Sequence, residues 1–321
     1  MAKNKLRIGV LFGGKSAEHE VSIRSAENVI KALDKNKYEI IPIKIEKDGN
    51  FDFKEIKKVD VVFPILHGPY GEDGSMQGFL KLMNVPFVGA GVLGSAVGMD
   101  KDVMKRLLTE AGIKNAKCVV LRGDERMTFQ KIKKTLGMPV FVKPANLGSS
   151  VGVSKVKNEK DWNEAVKLAF KYDNKVLVEE MVVGRELECA VLGNDKPIAS
   201  AVGEVVLNAE FYSYDAKYID EDGAVIEIPA KNLNKKDIQK VQDIALRSYK
   251  ALNCEGMGRV DVFLKKNGDV YVNEINTIPG FTSISMYPKL WEISGIPKVK
   301  LLDKLIGFAI ERHKKEQKLK N

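Results

Sequence analysis

Strand and helix patterns alternate through the first third of the chain, and this alternation constrains the fold more than any other feature. Leu6 to Phe12 is a short apolar run that stops at Gly13-Gly14. Ile23, Ala26, Ile30 and Leu33 then recur at spacings of three, four and three, which is one face of a helix. Extended segments are expected at Glu39–Ile45, Asp60–Leu66 and Pro86–Val88, with a helix around Met76–Met83. This βαβ order implies a doubly wound α/β domain, a parallel sheet covered by helices on both faces, over residues 1–98. Functional loops in that arrangement lie beyond the carboxyl ends of the strands. Two polar loops fall there, Gly13–Val21 and His67–Gly74.

From about Met99 the pattern changes to α+β. Helices are expected at Lys101–Ala111, Thr128–Leu136 and Asp161–Phe170, and strands at Cys118–Leu121, Val140–Lys143, Val153–Val156 and Lys175–Glu179. They form a small lobe over residues 99–183. Beyond Gly184 a second lobe, residues 184–321, opens with strands Leu187–Leu192 and Ile198–Glu204. A long polar loop at about 208–231 reads as a lid, since loops of that length in compact domains usually cover a site. Helix Lys235–Leu252 carries an apolar stripe of Ile238, Val241, Ala245, Tyr249 and Leu252, with Asn234 placed to cap it.

Composition excludes several classes. The 321 residues are enough for two or three domains, and no apolar stretch approaches the roughly 20 residues that span a bilayer. The first eleven residues read as a strand and not as a signal peptide, because the apolar run is short and no small-residue cleavage site follows. Net charge is +9, but acidic and basic residues are interleaved, which argues against nucleic acid. The one dense basic run, Arg312–Lys320, reads as a solvated helix end. Cys118, Cys189 and Cys254 are scattered without CxxC spacing, as expected of core thiols in a reducing cytoplasm.

The residues that point most directly to chemistry form a hairpin. Arg259–Leu264 and Val270–Asn276 flank Asn267-Gly268, the preferred pair for a two-residue type I′ turn. With those two residues at the turn, Asp261 falls opposite Glu274 and Arg259 opposite Asn276, all four on one face. Opposed carboxylates are normally destabilising. Hard oxygens from Asp, Glu and Asn with no His or Cys nearby suit Mg²⁺ completed by phosphate oxygens. A solvent-facing sheet side with Arg259 neutralising one acid fits these residues equally well, and a bulge at the turn would break the register.

The loop Lys143–Gly152 joins two strands and is rich in glycine and serine, so its backbone could approach phosphates closely. It lacks the Walker A pattern and does not open a helix, and an ordinary hairpin turn is its bland alternative. Lys101 and Lys143 are candidate phosphate counter-charges, though either could be a surface lysine. Ser16–Ser22 could be no more than a helix start with acids placed for the dipole. His67 stands at a sheet's carboxyl edge, where a lone His is either structural or part of a site.

Taken in order, these segments resemble the D-alanine–D-alanine ligase family of the ATP-grasp superfamily. The quoted motifs are Gly13–Ser22; His67-Gly68 with Gly71–Gly74 and Gln77-Gly78; Lys143-Pro144 with Gly148–Gly152; Tyr212 and Tyr214 with Ala216–Tyr218; Gly258-Arg259 with Asp261; and Glu274 with Asn276-Thr277, Pro279-Gly280, Thr282, Ser285 and Pro288. The resemblance runs from Arg7 to Arg312. It implies the α/β domain followed by a two-lobed ATP-grasp domain. Ser213, where many members have Asp, departs from the pattern in a way expected to touch lid packing and not chemistry.

By that resemblance Glu18 would hold the ammonium of the first D-alanine in a set with Ser149 and Tyr218, and His67 would lie near its carboxylate. Lys101, Lys143, Ser149 and Lys217 would contact ATP phosphates. Glu179 with the hinge Glu180, Met181 and Val182 would face adenine, and Glu186 the ribose. Asp261, Glu274 and Asn276 would hold two Mg²⁺, with Mn²⁺ able to stand in. Arg259 and the N–H of Gly280 would stabilise transition states, and Ser285 with Met286 would receive the second D-alanine's carboxylate. The implied enzyme makes D-alanyl-D-alanine through a D-alanyl phosphate for peptidoglycan precursors, as a cytoplasmic homodimer with neither nucleic acid nor membrane as partner. Two other readings fit the same chain, an ATP-grasp ligase for another amine or a hydroxy acid, and a non-catalytic nucleotide-binding module.

Overall fold

The computed structural model describes residues 5–123, 127–207 and 224–320. Three strands, β1 (Leu6–Gly13), β2 (Tyr38–Ile45) and β3 (Val61–Ile65), form a parallel sheet in the order β2-β1-β3. Helix α1 (His19–Ala32) returns the chain from β1 to β2, burying Ala26 and Val29. All five residues of β3 are buried, as a strand covered on both faces requires. The expected strand at Pro86–Val88 is reduced to a single parallel bridge between Phe87 and Val62. Arg312 donates to the carbonyls of Phe87 and Gly89, and Gly89 turns at φ +95, so the ladder stops there.

Helix α2 (Ser75–Leu82) agrees with the sequence pattern, whereas α3 (Val92–Met99) is not signalled by it. Two glycines hide α3. A Cβ on Gly94 would stand 2.5 Å from the Asn253 carbonyl, and one on Gly98 2.9 Å from Thr277. Close packing, not helix propensity, selected them. Helix α4 (Lys101–Glu110) follows, capped by Asp100, whose side chain accepts from the N–H groups of Asp102 and Val103.

The small lobe is an antiparallel sheet ordered β4-β7-β5-β6, from β4 (Cys118–Arg122), β5 (Val140–Pro144), β6 (Ser154–Val156) and β7 (Lys175–Glu180). Helices α5 (Phe129–Leu136) and α6 (Glu159–Ala169) supply Ile132 and Trp162 to its core. The second lobe is a five-stranded antiparallel sheet ordered β10-β9-β8-β11-β12. Its strands are β8 (Arg185–Leu192), β9 (Ile198–Leu207), β10 (Ala224–Glu227), β11 (Met257–Leu264) and β12 (Val270–Asn276). β10 lies inside the segment expected to be loop from about 208 to 231, because it pairs with β9 and closes the sheet edge. Residues 208–223 of that expected lid lie outside the described residues.

Helix α7 (Lys235–Ala251) packs Val241, Ala245 and Tyr249 on one face of this sheet, and Asn234 caps it by accepting from the Asp237 N–H at 2.9 Å. Helices α8 (Met286–Ile293) and α9 (Lys298–Glu316) belong to another core. There Tyr287, Trp291 and Leu305 meet Ile8, Val10 and Phe63 of the parallel sheet. Burying each such side chain is worth roughly 1.5–3 kcal/mol, so the first strands and last helices hold each other in place. Arg312, expected on a solvated helix end, is buried against the Phe87 ring at 4.3 Å. Cys189 and Cys254 are buried and Cys118 half-buried, all as free thiols.

Candidate active site

The β11–β12 ladder places Asp261 opposite Glu274 and Arg259 opposite Asn276. The turn that leads there is not the expected two-residue one. Gly268 N–H donates to Lys265 O and Lys265 N–H to Asp269 O, which makes a three-residue loop with Gly268 at φ +78. That loop shifts the ladder by one, pairing Val262 with Val272 and Phe263 with Tyr271. A bulge at Asn273 restores the shift, because Asp261 pairs with Glu274 and Val262 with Val272. Without it Glu274 would join Val270 and Val272 on the core side. The bulge therefore turns Glu274 and Asn276 to the face that carries Arg259 and Asp261.

On the other side of β11, Glu188 of β8 stands opposite Asp261. Three carboxylates thus cross the sheet in one row, Glu188, Asp261 and Glu274. Arg259 sits among them, its guanidinium donating to both oxygens of Asp261 at 2.8 and 2.7 Å and lying 2.8 Å from Glu188. Burial opposes its charge, but Asp261 and Glu188 outweigh it and hold the guanidinium firmly protonated. Asn276 donates from Nδ2 to Asp261 at 3.0 Å, and Lys101 approaches Glu274 at 3.3 Å.

This face borders a cavity of about 480 Å³ between the lobes, lined by Lys101, Lys143, Ser149, Glu179–Val182, Glu186, Glu188, Asp261, Phe263 and Glu274 among others. Lys143 pairs with Glu179 at 2.6 Å, and Lys105 reaches the same carboxylate from behind at 2.9 Å. Burial works against a charged Glu179, yet the two lysines keep its carboxyl below the ordinary range. The Glu180 carboxylate accepts from the Lys117 N–H, and Glu180, Met181 and Val182 line the cavity.

The glycine loop crosses from this cavity to the first domain. Ser149 and Ser150 adopt φ +53 and +59, a conformation costly for non-glycine residues, and Ser149 Oγ donates to Glu18. Glu18 stands at the N-cap of α1 without capping it, its carboxylate turned instead to Ser149. His67 is buried, with Nδ1 3.1 Å from Ile278 O and Nε2 3.4 Å from Ser25 Oγ. Burial lowers its pKa, partly offset by the Glu18 charge. Ser285 accepts from the Thr282 N–H at 3.0 Å beside Gly280, while the Met286 side chain packs in the core against Gly203.

The structure thus gathers Lys101, Lys143, Ser149, the 179–182 hinge, Glu186, Asp261 and Glu274 around one cavity, with Arg259 and Asn276 on its sheet face. Glu18 joins through Ser149, and His67, Gly280 and Ser285 form an adjoining cluster. Tyr218 and Lys217, with Tyr212, Tyr214 and Ala216, lie outside the described residues. Sequence reasoning missed Glu188 and Lys105. Glu186 and Glu188 alternate with Leu187 and Cys189, and Lys105 follows Lys101 by four on a helix, so both signals were present.

Two family models match the chain, D-ala D-ala ligase N-terminus over residues 7–57 and 52–90, and D-ala D-ala ligase C-terminus over residues 107–307. The chain belongs to the D-alanine–D-alanine ligase family. A D-alanine–D-alanine ligase of Oceanobacillus iheyensis is 49% identical over 99% of this chain and 98% of its own length. Among solved structures, the VanG D-Ala:D-Ser ligase of Enterococcus faecalis superposes with TM-score 0.87 at 38% identity, covering 95% of this chain and 100% of that one. The D-alanine–D-alanine ligase of Bacillus anthracis, complexed with ATP, superposes with TM-score 0.84 at 34% identity, covering 97% and 99%. Family membership makes the two antiparallel sheets the lobes of an ATP-grasp enzyme, with the parallel-sheet domain before them. No helix among the described residues is long and apolar enough to cross a membrane.

Proposed function

We propose that the chain joins two D-alanine molecules into D-alanyl-D-alanine, for peptidoglycan precursors, by way of D-alanyl phosphate made from ATP. The observation that carries the residue roles is the carboxylate row Glu188–Asp261–Glu274 facing a cavity that Lys101 and Lys143 also line. The donor set fits Mg²⁺. Asp261, Glu274 and the Asn276 amide offer hard oxygens, and the row keeps negative charge in excess of what Arg259 and Lys101 neutralise locally. Among the described residues no group of three His, Cys, Asp or Glu side chains is placed to hold a metal ion by itself. Bound there, Mg²⁺ or Mn²⁺ would neutralise charge on the transferring phosphoryl group.

Adenine lies along 179–182, the ribose meets Glu186, and Lys143 and Lys101 turn to phosphates. Lys105 then keeps Glu179 paired when Lys143 swings away. The first D-alanine's ammonium meets Glu18, and its carboxylate attacks the γ-phosphorus as ADP leaves. The second D-alanine has its carboxylate at Ser285 and the first-turn N–H of Met286; its amine, after giving up a proton, attacks the acyl carbon, and phosphate leaves. Arg259 and the Gly280 N–H stabilise the oxygens that gain charge in these steps. By the family resemblance Lys217 and Tyr218, which lie outside the described residues, would help to exclude water from the acyl phosphate. The three segments 1–98, 99–183 and 184–321, homodimeric assembly and a cytoplasmic location belong to the same reading. Each sheet falls within one of the segments.

Mass-spectrometric analysis of products from ATP, Mg²⁺ and D-alanine, with D-serine and D-lactate competing, tests it. D-Alanyl-D-alanine with equal ADP and phosphate is expected. Predominant D-alanyl-D-serine would instead favour the reading suggested by similarity to the VanG enzyme, and predominant depsipeptide a hydroxy-acid ligase.

A further inference from the structure

The loop that carries Gly280 is held at Ile278 and Phe281 by side chains of the first domain. Ile278 is gripped at both ends of its backbone. Its N–H donates to one carboxylate oxygen of Glu72 at 3.1 Å, and its C=O accepts from Nδ1 of His67 at 3.1 Å. The other Glu72 oxygen accepts from the Gly68 N–H at 2.8 Å. Three residues on, the Phe281 N–H donates to Ser25 Oγ at 3.3 Å.

The donor directions close into a ring. A carbonyl only accepts, so His67 carries its proton on Nδ1, and burial keeps the ring neutral. Nε2 is then an acceptor for the Ser25 hydroxyl, 3.4 Å away, which leaves a Ser25 lone pair for Phe281. Ser25, His67 and Glu72 thus fix the peptide on each side of Pro279-Gly280. Ser25 is fully buried on α1, and Glu72 spans the gap between the two loops.

We propose that Ser25 and Glu72 are positioning residues that aim the Gly280 N–H at the acyl carbon's developing oxyanion. The inference rests on the ligase reading and adds to it two residues that contact no substrate. An amide donor of this kind works only if its direction is set before the charge appears. A small misplacement from a distant change can cost on the order of 10²-fold. The same ring explains why the His67-Gly68 loop and the 277–282 loop, far apart in sequence, form one surface.

The unaltered enzyme must first yield dipeptide from ATP and D-alanine; failure there sinks the ligase reading and this proposal with it, whereas failure in the variants alone sinks only the proposal. Ser25→Ala and Glu72→Gln are then compared by kcat, KM for ATP, melting temperature and scrambling of ¹⁸O between bridge and non-bridge positions of labelled ATP. Scrambling reports reversible acyl phosphate formation alone. Dipeptide formation should fall about tenfold or more in kcat, with KM for ATP and scrambling held within about threefold. A purely structural role would lower scrambling and dipeptide together, or lower melting temperature with kcat per folded enzyme unchanged, and either result overturns the proposal. If Glu72→Gln does not fold, Ser25→Ala, which removes one hydroxyl, decides it alone.

Discussion

The β11–β12 face and the 277–282 loop serve the same site but hold their groups by opposite means. On the hairpin, partners are close in sequence: Arg259 and Asp261 are 2 residues apart, Asn276 and Asp261 15. A hydrogen-bonded ladder sets which side chains share the face, and the charges then pair among themselves. In the loop the partners are 206 and 256 residues away, Glu72 to Ile278 and Ser25 to Phe281. No ladder defines that geometry; side chains of another domain hold backbone groups one by one. The first kind of site is as rigid as its sheet. The second is only as good as the docking between domains.

The largest effect should come from the hairpin. Glu274→Gln removes one member of the carboxylate row and should lower turnover by ~10³-fold, while the fold holds because like-charge repulsion is relieved. Turnover with a thermal melt checks it, and near-normal turnover would remove Glu274 from the metal set. Next, Arg259→Ala strips the counter-charge from nearly buried Asp261 and Glu188. A loss of about 3–5 kcal/mol in urea unfolding is expected. A loss below ~1 kcal/mol would mean the face behaves as open surface and the contrast with the loop is lost.

The loop side predicts a pH dependence. Burial and then the Glu18 charge push the Glu72 carboxyl up to about 8, against two backbone N–H bonds that favour ionisation, with Glu274 adding to the rise. A raised carboxyl binds a proton more tightly folded than unfolded. Its contribution is therefore fully present below its unfolded pKa, near 4.5, and lost as pH rises through about 8. Melting temperature should fall between about pH 5.5 and 8.5, and Glu72→Gln should remove that fall, which is worth a few kcal/mol at most across the window. Equal slopes in both proteins would show that Glu72 does not titrate in this window. The smallest effect belongs to the loop that joins the two regions. Ser150→Gly relieves a φ of +59 and should stabilise the chain by about 1 kcal/mol, read as a small rise in melting temperature. No change would mean the surroundings already offset the strain.

How much was legible follows the same division. The capped helix α7, the parallel β1–β3 sheet and the pairing of Asp261 with Glu274 could be read from spacing and turn residues. That pairing emerged despite two misreadings: the turn has three residues instead of two, and the Asn273 bulge cancels the resulting shift. Local pattern cannot show a bulge that exists to turn one carboxylate over. Helix α3 escaped because Gly94 and Gly98 are required by contacts with Asn253 and Thr277, which lie more than a hundred residues on. Strand β10 escaped because its pairing with β9 is what makes it a strand.

The amino-acid sequence by itself determined the order of elements, the ATP-grasp motifs and the chemistry offered by Asp261, Glu274, Asn276, Lys101 and Lys143. Periodicity, capping and turn preference act over a few residues, so they are written locally. Only the tertiary structure decided that Glu188 completes a carboxylate row, that Lys105 stands behind Glu179, and that Glu72, His67 and Ser25 hold the Gly280 loop. Those contacts join elements that lie far apart in the chain. Their geometry comes from burying shared apolar surface, such as Phe63 against Phe281 with ring centroids 6.0 Å apart, a driving force without direction that leaves no short-range trace in the chain.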